Sequence, residues 1–383
     1  MKILINALGI QDSGGITVLE KVLLECLKNK NSKYYIVCND NKNIRILIEK
    51  YQNTNYLIFQ VIKTRGFLYR LYYENIIFKK IIDRNHIDLV YNFSGSAQFF
   101  LKIPQLIKIQ NLLFYSKKLD CKYKQKKQFI LWLKQIFLKR LIFKLMINQA
   151  SLFEIQSNHV KDYLSDYIDI TNKNFYVKSD INVSNDMFKH PKQYDFTKKV
   201  NFLYIVGPHF EYIHKNFIDF TNAMIQLEQY DLNFQITVTL TKEQLNNSSV
   251  WSKKLDSKTN FLGYVNTKEE AENIFTNSTI LVSTSIIETL GLHVVEAVQN
   301  GVLAISPEEA YAKSVYGRNM PTYKLSDIDS FLDTVKEIVL LDNNNIKDII
   351  LSNQRYLIKN EKTKYKSVVD IFDEILKEKD VQK

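Results

Sequence analysis

The chain has 383 residues, 45% of them hydrophobic and 24% charged, a balance that indicates a globular protein and excludes an intrinsically disordered one. This length is sufficient for two domains of ordinary size. The three cysteines are scattered, without a CxxC pair or a Cys/His cluster, so we expect reduced thiols in a cytosolic setting and no structural zinc.

The formal net charge of +11 is concentrated in one segment. Residues 117–149 contain nine lysines and Arg140 against Asp120 alone, a net charge of +9. This local excess favours a basic surface over a nucleic-acid-binding protein, whose basic residues would follow a groove with aromatic readers. Since we find no cleavage site at the start of the chain and no apolar run of about 18 residues, we expect neither a signal peptide nor a membrane-spanning helix.

Short apolar strands alternate with amphipathic helices over roughly the first half of the chain. A strand at residues 2–8, a glycine-containing loop and a helix at 16–28 form the typical opening of a doubly wound α/β domain. We predict further strands at residues 34–38, 56–62, 88–93, 105–110 and 151–157, and helices at residues 67–83 and from residue 159.

Gly14 and Gly15 stand at the start of the first predicted helix, where a backbone without side chains lets phosphate or an acceptor approach. A simple turn capped by Ser13 explains the same residues equally well. Because the loop is not GxGxxG, a nicotinamide cofactor is disfavoured.

Gln110 and Asn111 come at the end of the strand at residues 105–110. Ligands of open α/β sheets gather at the carboxyl ends of strands, so both side chains are candidates for the acceptor or sugar side of a site. The alternative is that they only bond the neighbouring loop.

The basic segment interleaves lysines with aromatic and aliphatic side chains, a composition typical of a helix that lies on an anionic membrane surface. For residues 117–134 we predict membrane contact, through Lys124, Lys126, Lys127 and Trp132. For residues 138–147 we prefer an ordinary helix that packs on the sheet and points its lysines to water.

Residues 180–199 are polar, contain Pro191 and show no clear period, which is typical of a domain boundary. We divide the chain into an N-terminal domain (1–188), a second domain (189–360) and a C-terminal helix (361–383) that returns to the first domain. In the second part we predict strands at 200–207, 234–240, around 261, 279–285 and 302–306, and helices from 217 and at 267–277, 326–341 and 363–376.

Residues 279–301 predict a buried strand, a polar turn and a buried helix. His293 and Glu296 share one stripe of that helix, Glu288 lies in the turn, and Gly291 lets the backbone come close to a ligand. A helix N-terminus is a ready anion site, so we expect an anion above Leu290, Gly291 and Leu292. The alternative is that Glu288 only caps the helix and Glu296 lies on a solvated edge.

Lys215 lies at the mouth of a neighbouring strand–helix unit. A lysine beside a free helix start can neutralise a diphosphate without a metal ion. In a chain with this many lysines, the alternative is one more surface lysine.

These motifs resemble the retaining GT-B glycosyltransferases of the glycosyl transferases group 1 type (family 4). The segment FLGYVNTKEEAENIFTNSTILVSTSIIETLGLHVVEAVQNGVLAIS is similar to the family's strand, helix and E-x7-E element, with Glu288 and Glu296 as its carboxylates. IHKNF resembles the family's His-Lys-Asn phosphate-binding loop. The likeness covers most of the second domain and is looser in the first.

The resemblance implies two Rossmann-like domains facing across a cleft and a role for each candidate. Lys215 would bind the donor diphosphate and Glu296 the ribose. Glu288 would lie by the donor sugar, with the amides of residues 290–292 on sugar or phosphate, and Gly14 and Gly15 near the diphosphate and acceptor. The chain departs from the family at Pro208–His209, where an arginine is common, and at Gln110–Asn111, where a histidine is common.

The resemblance implies transfer of a sugar from a nucleotide diphosphate sugar to an acceptor hydroxyl, with retention and without a cofactor or divalent metal. We expect a lipid-linked saccharide acceptor of a bacterial surface polysaccharide and a peripheral, cytoplasmic position at the inner face of the plasma membrane. The alternatives are a nucleotide-sugar epimerase and a non-catalytic nucleotide-sugar-binding homologue. We expect no nucleic-acid partner.

Overall fold

The computed structural model describes residues 1–10, 13–63, 66–181, 183–230, 232–265, 268–362 and 366–381. Its strands are β1 (Lys2–Ala7), β2 (Lys33–Asn39), β3 (Leu57–Ile62), β4 (Leu89–Asn92), β5 (Gln105–Ile109), β6 (Leu152–Ile155), β7 (Asn174–Val177), β8 (Val200–Tyr204), β9 (Phe234–Val238), β10 (Thr259–Phe261), β11 (Thr279–Val282), β12 (Leu303–Pro307) and β13 (Thr322–Tyr323).

The α-helices are α1 (Ser13–Lys28), α2 (Lys42–Tyr51), α3 (Phe67–Tyr72), α4 (Phe78–Asn85), α5 (Lys117–Gln125), α6 (Phe129–Trp132), α7 (Leu138–Ile147), α8 (His159–Ser165), α9 (Phe217–Leu227), α10 (Lys242–Asn246), α11 (Lys268–Asn273), α12 (Leu292–Gln299), α13 (Ile328–Val339), α14 (Asn343–Lys362) and α15 (Val368–Val381). Two π-helical turns, Tyr73–Ile77 and Leu133–Phe137, join α3 to α4 and α6 to α7. A third, Ala312–Tyr316, follows β12.

The chain forms two compact units. The first comprises Met1–Tyr115, Ile130–Asp180 and Lys364–Lys383, and the second comprises Ser116–Phe129 and Ile181–Thr363.

The first unit contains a parallel sheet of seven strands in the order β3-β2-β1-β4-β5-β6-β7. Its central strands β1, β4 and β5 are buried along almost their whole length, as strands covered by helices on both faces are. The order reverses between β1 and β4, which are neighbours in the sheet, and the carboxyl ends of strands at such a switch point are where α/β sheets bind ligands.

The second unit contains a parallel sheet of six strands in the order β10-β9-β8-β11-β12-β13. Here the switch point lies between β8 and β11. One hydrophobic cluster that includes Phe202, Phe217 and Phe220 fills one face of this sheet. A second cluster, under α12 and the turn Ala312–Tyr316, covers the other face.

The prediction of two doubly wound α/β units is confirmed by both sheets. The short edge strands β7 and β13 and the helix α14 were not predicted. The sequence of α14 is mostly polar, and only Ile346, Ile350 and Leu357 mark its buried side. The predicted helix at 267–277 ends at Asn273.

The compact units differ in two places from the division we made on the sequence. The first unit ends at Asp180, eight residues before the predicted boundary at 188, and residues 116–129 pack with the second unit although they lie inside the N-terminal stretch. Helix α5 holds that position because Leu119 and Tyr123 are buried and Lys118 forms an ion pair with Glu309 at 2.5 Å.

A buried cluster of charges ties the first unit together. Lys108 is fully buried between the carboxylates of Glu154 and Asp180, with its Nζ 3.0 Å from Asp180. Burial alone would lower the pKa of Lys108 and raise that of Asp180, but their mutual attraction outweighs it in both, so the lysine pKa is raised and the aspartate pKa is lowered.

Beside this cluster the C-terminal helix α15 joins the core. The backbone N–H of Val368 donates to the Glu25 carboxylate, and the Phe372 ring lies 5.2 Å from the Tyr91 ring. Tyr91 in turn donates its hydroxyl proton to Glu154. Helix α15 is therefore a structural part of the first unit.

Candidate active site

Two loops of the second unit meet at the switch point of its sheet. One loop follows β8 and the other follows β11, and because these strands are parallel neighbours their carboxyl ends lie at the same edge of the sheet. The backbone N–H of Ile286 in the second loop donates to the carbonyl of His214 in the first at 2.8 Å. The loops are thus joined directly.

Lys215 is positioned by its backbone. It ends a 3₁₀ turn, Ile213–Lys215, and Asn216 then adopts a left-handed conformation (φ 52°) from which α9 begins. The carbonyl of Lys215 accepts hydrogen bonds from the Tyr204 hydroxyl at 3.1 Å and the Thr284 hydroxyl at 2.8 Å. The base of this side chain is therefore fixed between the two loops.

Lys215 and Glu288 form an ion pair, with Nζ 2.8 Å from Oε1. Burial would raise the pKa of Glu288, but the charge of Lys215, the neighbouring His293 and hydrogen bonds from Lys215 and Ser285 outweigh it and lower the pKa to about 2. The carboxylate is therefore ionised at neutral pH, and the lysine is held over this edge of the sheet.

Gly291 begins α12 in a left-handed conformation (φ 58°). A Cβ at this position would lie 1.9 Å from the hydroxyl oxygen of Tyr316, so only glycine fits both the conformation and the space. Among the described residues, no protein acceptor meets the backbone N–H groups of Leu292 and His293, the first two residues of the helix. They are the free donors that a helix start provides.

Three buried tyrosines hold the turn that leads to Gly291. Their hydroxyls donate to three backbone carbonyls along the loop: Tyr323 to Ser283 at 3.1 Å, Tyr311 to Ser285 at 2.6 Å and Tyr316 to Gly291 at 3.3 Å. The sequence analysis missed these tyrosines and Tyr204, because their spacing follows no helix or strand period and their partners lie far away in the chain.

The two histidines near the ion pair are neutral at physiological pH. Burial lowers the pKa of His293 to about 4, and burial together with the charge of Lys215 lowers the pKa of His214 to about 4. His293 Nε2 lies 3.1 Å from the Ser283 hydroxyl, a bond whose direction depends on the ring tautomer.

The remaining predicted residues of α12 differ in exposure. Leu290 is buried, Leu292 is half-buried and Glu296 is exposed one turn into the helix. Because Leu290 and Leu292 pack in the hydrophobic cluster beneath the helix, their side chains are structural and only their backbone can serve a ligand.

The other candidates lie in the first unit, around a cavity of about 410 Å³ at the carboxyl ends of β1, β4 and β5. Gly15, Gln110 and Asn111 line it. Gly14 is exposed in the first turn of α1, with open space where a Cβ would stand. The side chain of Asn111 accepts a hydrogen bond from the backbone N–H of Leu113. This is the contact with the neighbouring loop that we gave as the alternative to a ligand role.

The basic segment is divided between the units. Lys124, Lys126 and Lys127 are exposed in the second unit, whereas Trp132 is half-buried in the first, with its ring 5.3 Å from that of Phe137. We expected residues 138–147 to bury their apolar side; Phe143, Met146 and Ile147 do so, but Leu138, Leu141 and Leu145 are about half exposed.

The described residues contain neither a candidate metal site nor a candidate membrane span. No group of three or more His, Cys, Asp and Glu side chains in these ranges could hold a metal ion. Within the same ranges, no helix combines the length and hydrophobicity needed to cross a membrane.

Comparison with known families gives a match for part of the second unit. Residues 186–319, which include both loops, match the family model described as "Glycosyl transferases group 1". This part of the second unit is therefore similar to the glycosyl transferases group 1 domains. A comparison with curated protein sequences found no match.

Solved structures show the fold of the whole chain, which is the GT-B fold of glycosyltransferases. A glycosyltransferase from Rickettsia africae is 15% identical with a TM-score of 0.64, covering 98% of each chain. Anabaena Alr3699/HepE in complex with UDP and glucose is 12% identical with a TM-score of 0.60, covering 95% of this chain and 98% of that one. The lipopolysaccharide outer core galactosyltransferase WaaB is 16% identical with a TM-score of 0.60, covering 98% and 100%.

We predict that Gly291→Ala destabilises the second unit by about 2 kcal/mol or more, since alanine would be strained in the left-handed conformation and would collide with Tyr316. Tyr316→Phe alone should cost about 1 kcal/mol. The double variant should lose less than the sum, because removing the hydroxyl relieves part of the collision. Urea denaturation measures this, with Gly207→Ala, which has open space, as the control. Strict additivity would contradict the packing.

We also predict that the domain loses stability as the pH falls from 7 to 5. The pKa of His214 and of His293 is about 4 in the folded protein, against an ordinary value of 6.5 in the unfolded chain. Between these values only the unfolded chain binds protons, so the stability is fully present above pH 6.5 and falls as the pH drops below it. Trp251 fluorescence in a Trp132→Phe background reports on this unit alone.

The variant pair His214→Asn/His293→Asn should flatten that pH slope. The exposed His86→Asn in the first unit is the control and should leave it unchanged. An unchanged slope in the double variant would show that other groups cause the pH dependence.

Proposed function

We propose that the chain transfers a sugar from a nucleotide diphosphate sugar to an acceptor hydroxyl, with retention of configuration and without a divalent metal. The observation that carries this proposal is the Lys215–Glu288 ion pair beside the free start of α12, inside the segment that matches the group 1 family model. A fixed cation and free backbone donors at a switch point are suited to a diphosphate.

The donor would bind across the two joined loops. Its diphosphate would accept from Lys215 and from the N–H groups of Leu292 and His293, and Glu296, exposed one turn further, would accept from the ribose hydroxyls. Anabaena HepE, with the same fold, is described in complex with UDP and glucose, and this supports a nucleotide at the corresponding unit of this chain.

In the reaction, the bond between the anomeric carbon and the diphosphate oxygen breaks and its electron pair stays on that oxygen. The acceptor oxygen forms the new bond to the anomeric carbon and gives its proton to the departing diphosphate, on which the negative charge has developed. Lys215 stabilises the charge that develops on the leaving diphosphate, and its fixed position means that no reorganisation is needed as the charge appears. Glu288 keeps the lysine in place and lies beside the donor sugar.

We propose a lipid-linked saccharide as the acceptor and a peripheral position at the cytoplasmic face of the membrane. The first unit exposes large apolar side chains on two helices that are in contact through Phe67 and Phe143. On α3 and the helix from residue 130 these are Leu68, Tyr69, Tyr72, Ile130, Leu131, Phe137, Leu138, Leu141 and Leu145. Exposed apolar side chains with exposed lysines between them in the sequence, Lys134, Lys139 and Lys144, suit an anionic bilayer. WaaB, of the same fold, is described as a lipopolysaccharide galactosyltransferase, which supports a surface-polysaccharide role.

Lys215→Ala should lower kcat/KM by about 10²–10³-fold, the usual effect of removing one donor to a developing oxyanion. Glu296→Ala should mainly raise KM for the donor. The assay follows nucleotide release from a panel of nucleotide sugars with EDTA present, and the exposed Lys242→Ala is the control. Full activity in Lys215→Ala, loss of activity with EDTA, or conversion of the donor to its epimer without acceptor would contradict the proposal.

Membrane binding should depend on charge and on the exposed leucines. Co-sedimentation with anionic vesicles should weaken with salt, in Lys124→Glu/Lys126→Glu/Lys127→Glu, and in Leu138→Ser/Leu141→Ser. The control, Lys253→Glu/Lys254→Glu/Lys347→Glu, makes the same change in net charge at exposed positions elsewhere in the second unit. Equal loss in that control would show a general charge effect and would remove the assigned surface.

A further inference from the structure

The cavity of the first unit has walls of two kinds. Aromatic side chains form one kind: the rings of Phe114 and Phe143 are stacked at 4.9 Å, and Phe67 lies 6.2 Å from Phe143. Polar side chains form the other and include the cationic Arg70 and Lys139. Aromatic walls beside fixed hydrogen-bonding groups are typical of a carbohydrate site.

Hydrogen bonds to buried side chains hold the guanidinium of Arg70 in place. Its Nε donates to Glu74 at 2.9 Å and its Nη2 donates to Ser96 at 3.0 Å, and Glu74 is fully buried. Asn6 donates to the same Glu74 oxygen. The guanidinium crosses Gly9, where a Cβ would lie 2.3 Å from Nη1. The absence of a side chain at Gly9 therefore leaves room for the guanidinium, and both residues line the cavity.

Four of the polar side chains that line the cavity carry N–H donors: Arg70, Gln110, Asn111 and Lys139. Glu74 balances the charge of Arg70, and within the described ranges neither the Nη1 group of Arg70 nor the Lys139 ammonium has a hydrogen-bond or ion-pair partner. The Nε2 of Gln110 is buried and has no hydrogen-bond partner in the described part of the chain. None of the described residues that line the cavity is acidic. A buried donor without an acceptor is costly, so a ligand that supplies oxygens would be favoured.

We propose that the acceptor saccharide bound in this cavity carries an oxyanion, a phosphate or a carboxylate, held by Arg70 with Lys139 and Gln110 beside it. This inference rests on the proposed transferase function and names the class of its acceptor. A planar guanidinium oriented by a buried carboxylate is suited to bidentate oxyanion binding, and Lys139 supplies the net attraction. The aromatic wall stacks against the sugar ring.

The test measures binding of three probes to the full chain by titration calorimetry: glucose 1-phosphate, glucuronate and methyl glucoside. Either charged probe should bind about tenfold or more tightly than the neutral one, as expected for a hydrogen bond to a charged group. Inorganic phosphate should compete. A preference for glucose 1-phosphate indicates a phosphorylated acceptor, as in a lipid phosphate-linked saccharide, and a preference for glucuronate indicates a uronic acid.

Lys139→Gln and Arg70→Lys should each reduce binding of the charged probe. For Arg70→Lys we expect about a tenfold reduction, because lysine cannot donate two parallel hydrogen bonds to one oxyanion as a guanidinium does. The matched control is Lys144→Gln, an exposed lysine on the same helix that does not line the cavity. Arg70→Lys keeps the ion pair with Glu74, and thermal unfolding checks that it folds. Lys139 is exposed, so its variant tests the proposal even if Arg70→Lys does not fold.

UDP binding, measured in parallel, separates this inference from the proposed function. Lys215→Ala should weaken UDP binding and leave binding of the charged probe intact. Equal binding of the neutral and charged probes, or no difference between Lys139→Gln and Lys144→Gln, would overturn the anionic acceptor. Loss of the charged probe in Lys215→Ala would show that it occupies the donor site, and would also overturn it.

Discussion

The ion pair between Lys215 and Glu288 is the interaction on which the second unit's site depends. Withdrawing two charges from water is costly, and here attraction at 2.8 Å and additional hydrogen bonds offset that cost. The pair also needs two loops that are far apart in the chain to stay in register. The backbone N–H of Ile286, which donates to His214, and the hydroxyls of Tyr204 and Thr284, which donate to the carbonyl of Lys215, enforce this. Preorganisation of this kind is what an electrostatic catalyst requires.

Much of this arrangement could be predicted from the sequence, but not its contacts. Strand and helix periods gave both α/β units, and local motifs indicated Lys215, Glu288 and Gly291. The pairing of residues 215 and 288 depends on the order of strands in the sheet, which no local pattern specifies. The supporting tyrosines are harder still. A tyrosine that packs in a core and one that donates to a distant carbonyl have the same sequence signature, and only the fold distinguishes them.

The basic segment shows the same limit. Its lysine and aromatic composition predicts a surface helix, yet composition does not tell which side faces solvent. Helix α5 packs through Tyr123 and through an ion pair between Lys118 and Glu309, a residue 191 positions away. Further along, Leu138 and Leu141 are about half exposed, whereas Phe143 and Met146 of the same helix are buried. Apolar side chains therefore lie on both sides of α7, and their pattern alone does not identify the buried side.

The capture of α15 by the first unit has a consequence for biosynthesis. Val368 and Phe372 complete a hydrophobic core whose other members are mostly within the first 180 residues. The Glu25 carboxylate has no hydrogen bond from the Val368 N–H until that residue has been synthesised. On the ribosome, the N-terminal sheet emerges early but keeps an uncovered apolar face until α15 has been translated. The second unit, whose sequence is nearly continuous, can finish folding first. The order of folding would then be the reverse of the order of synthesis.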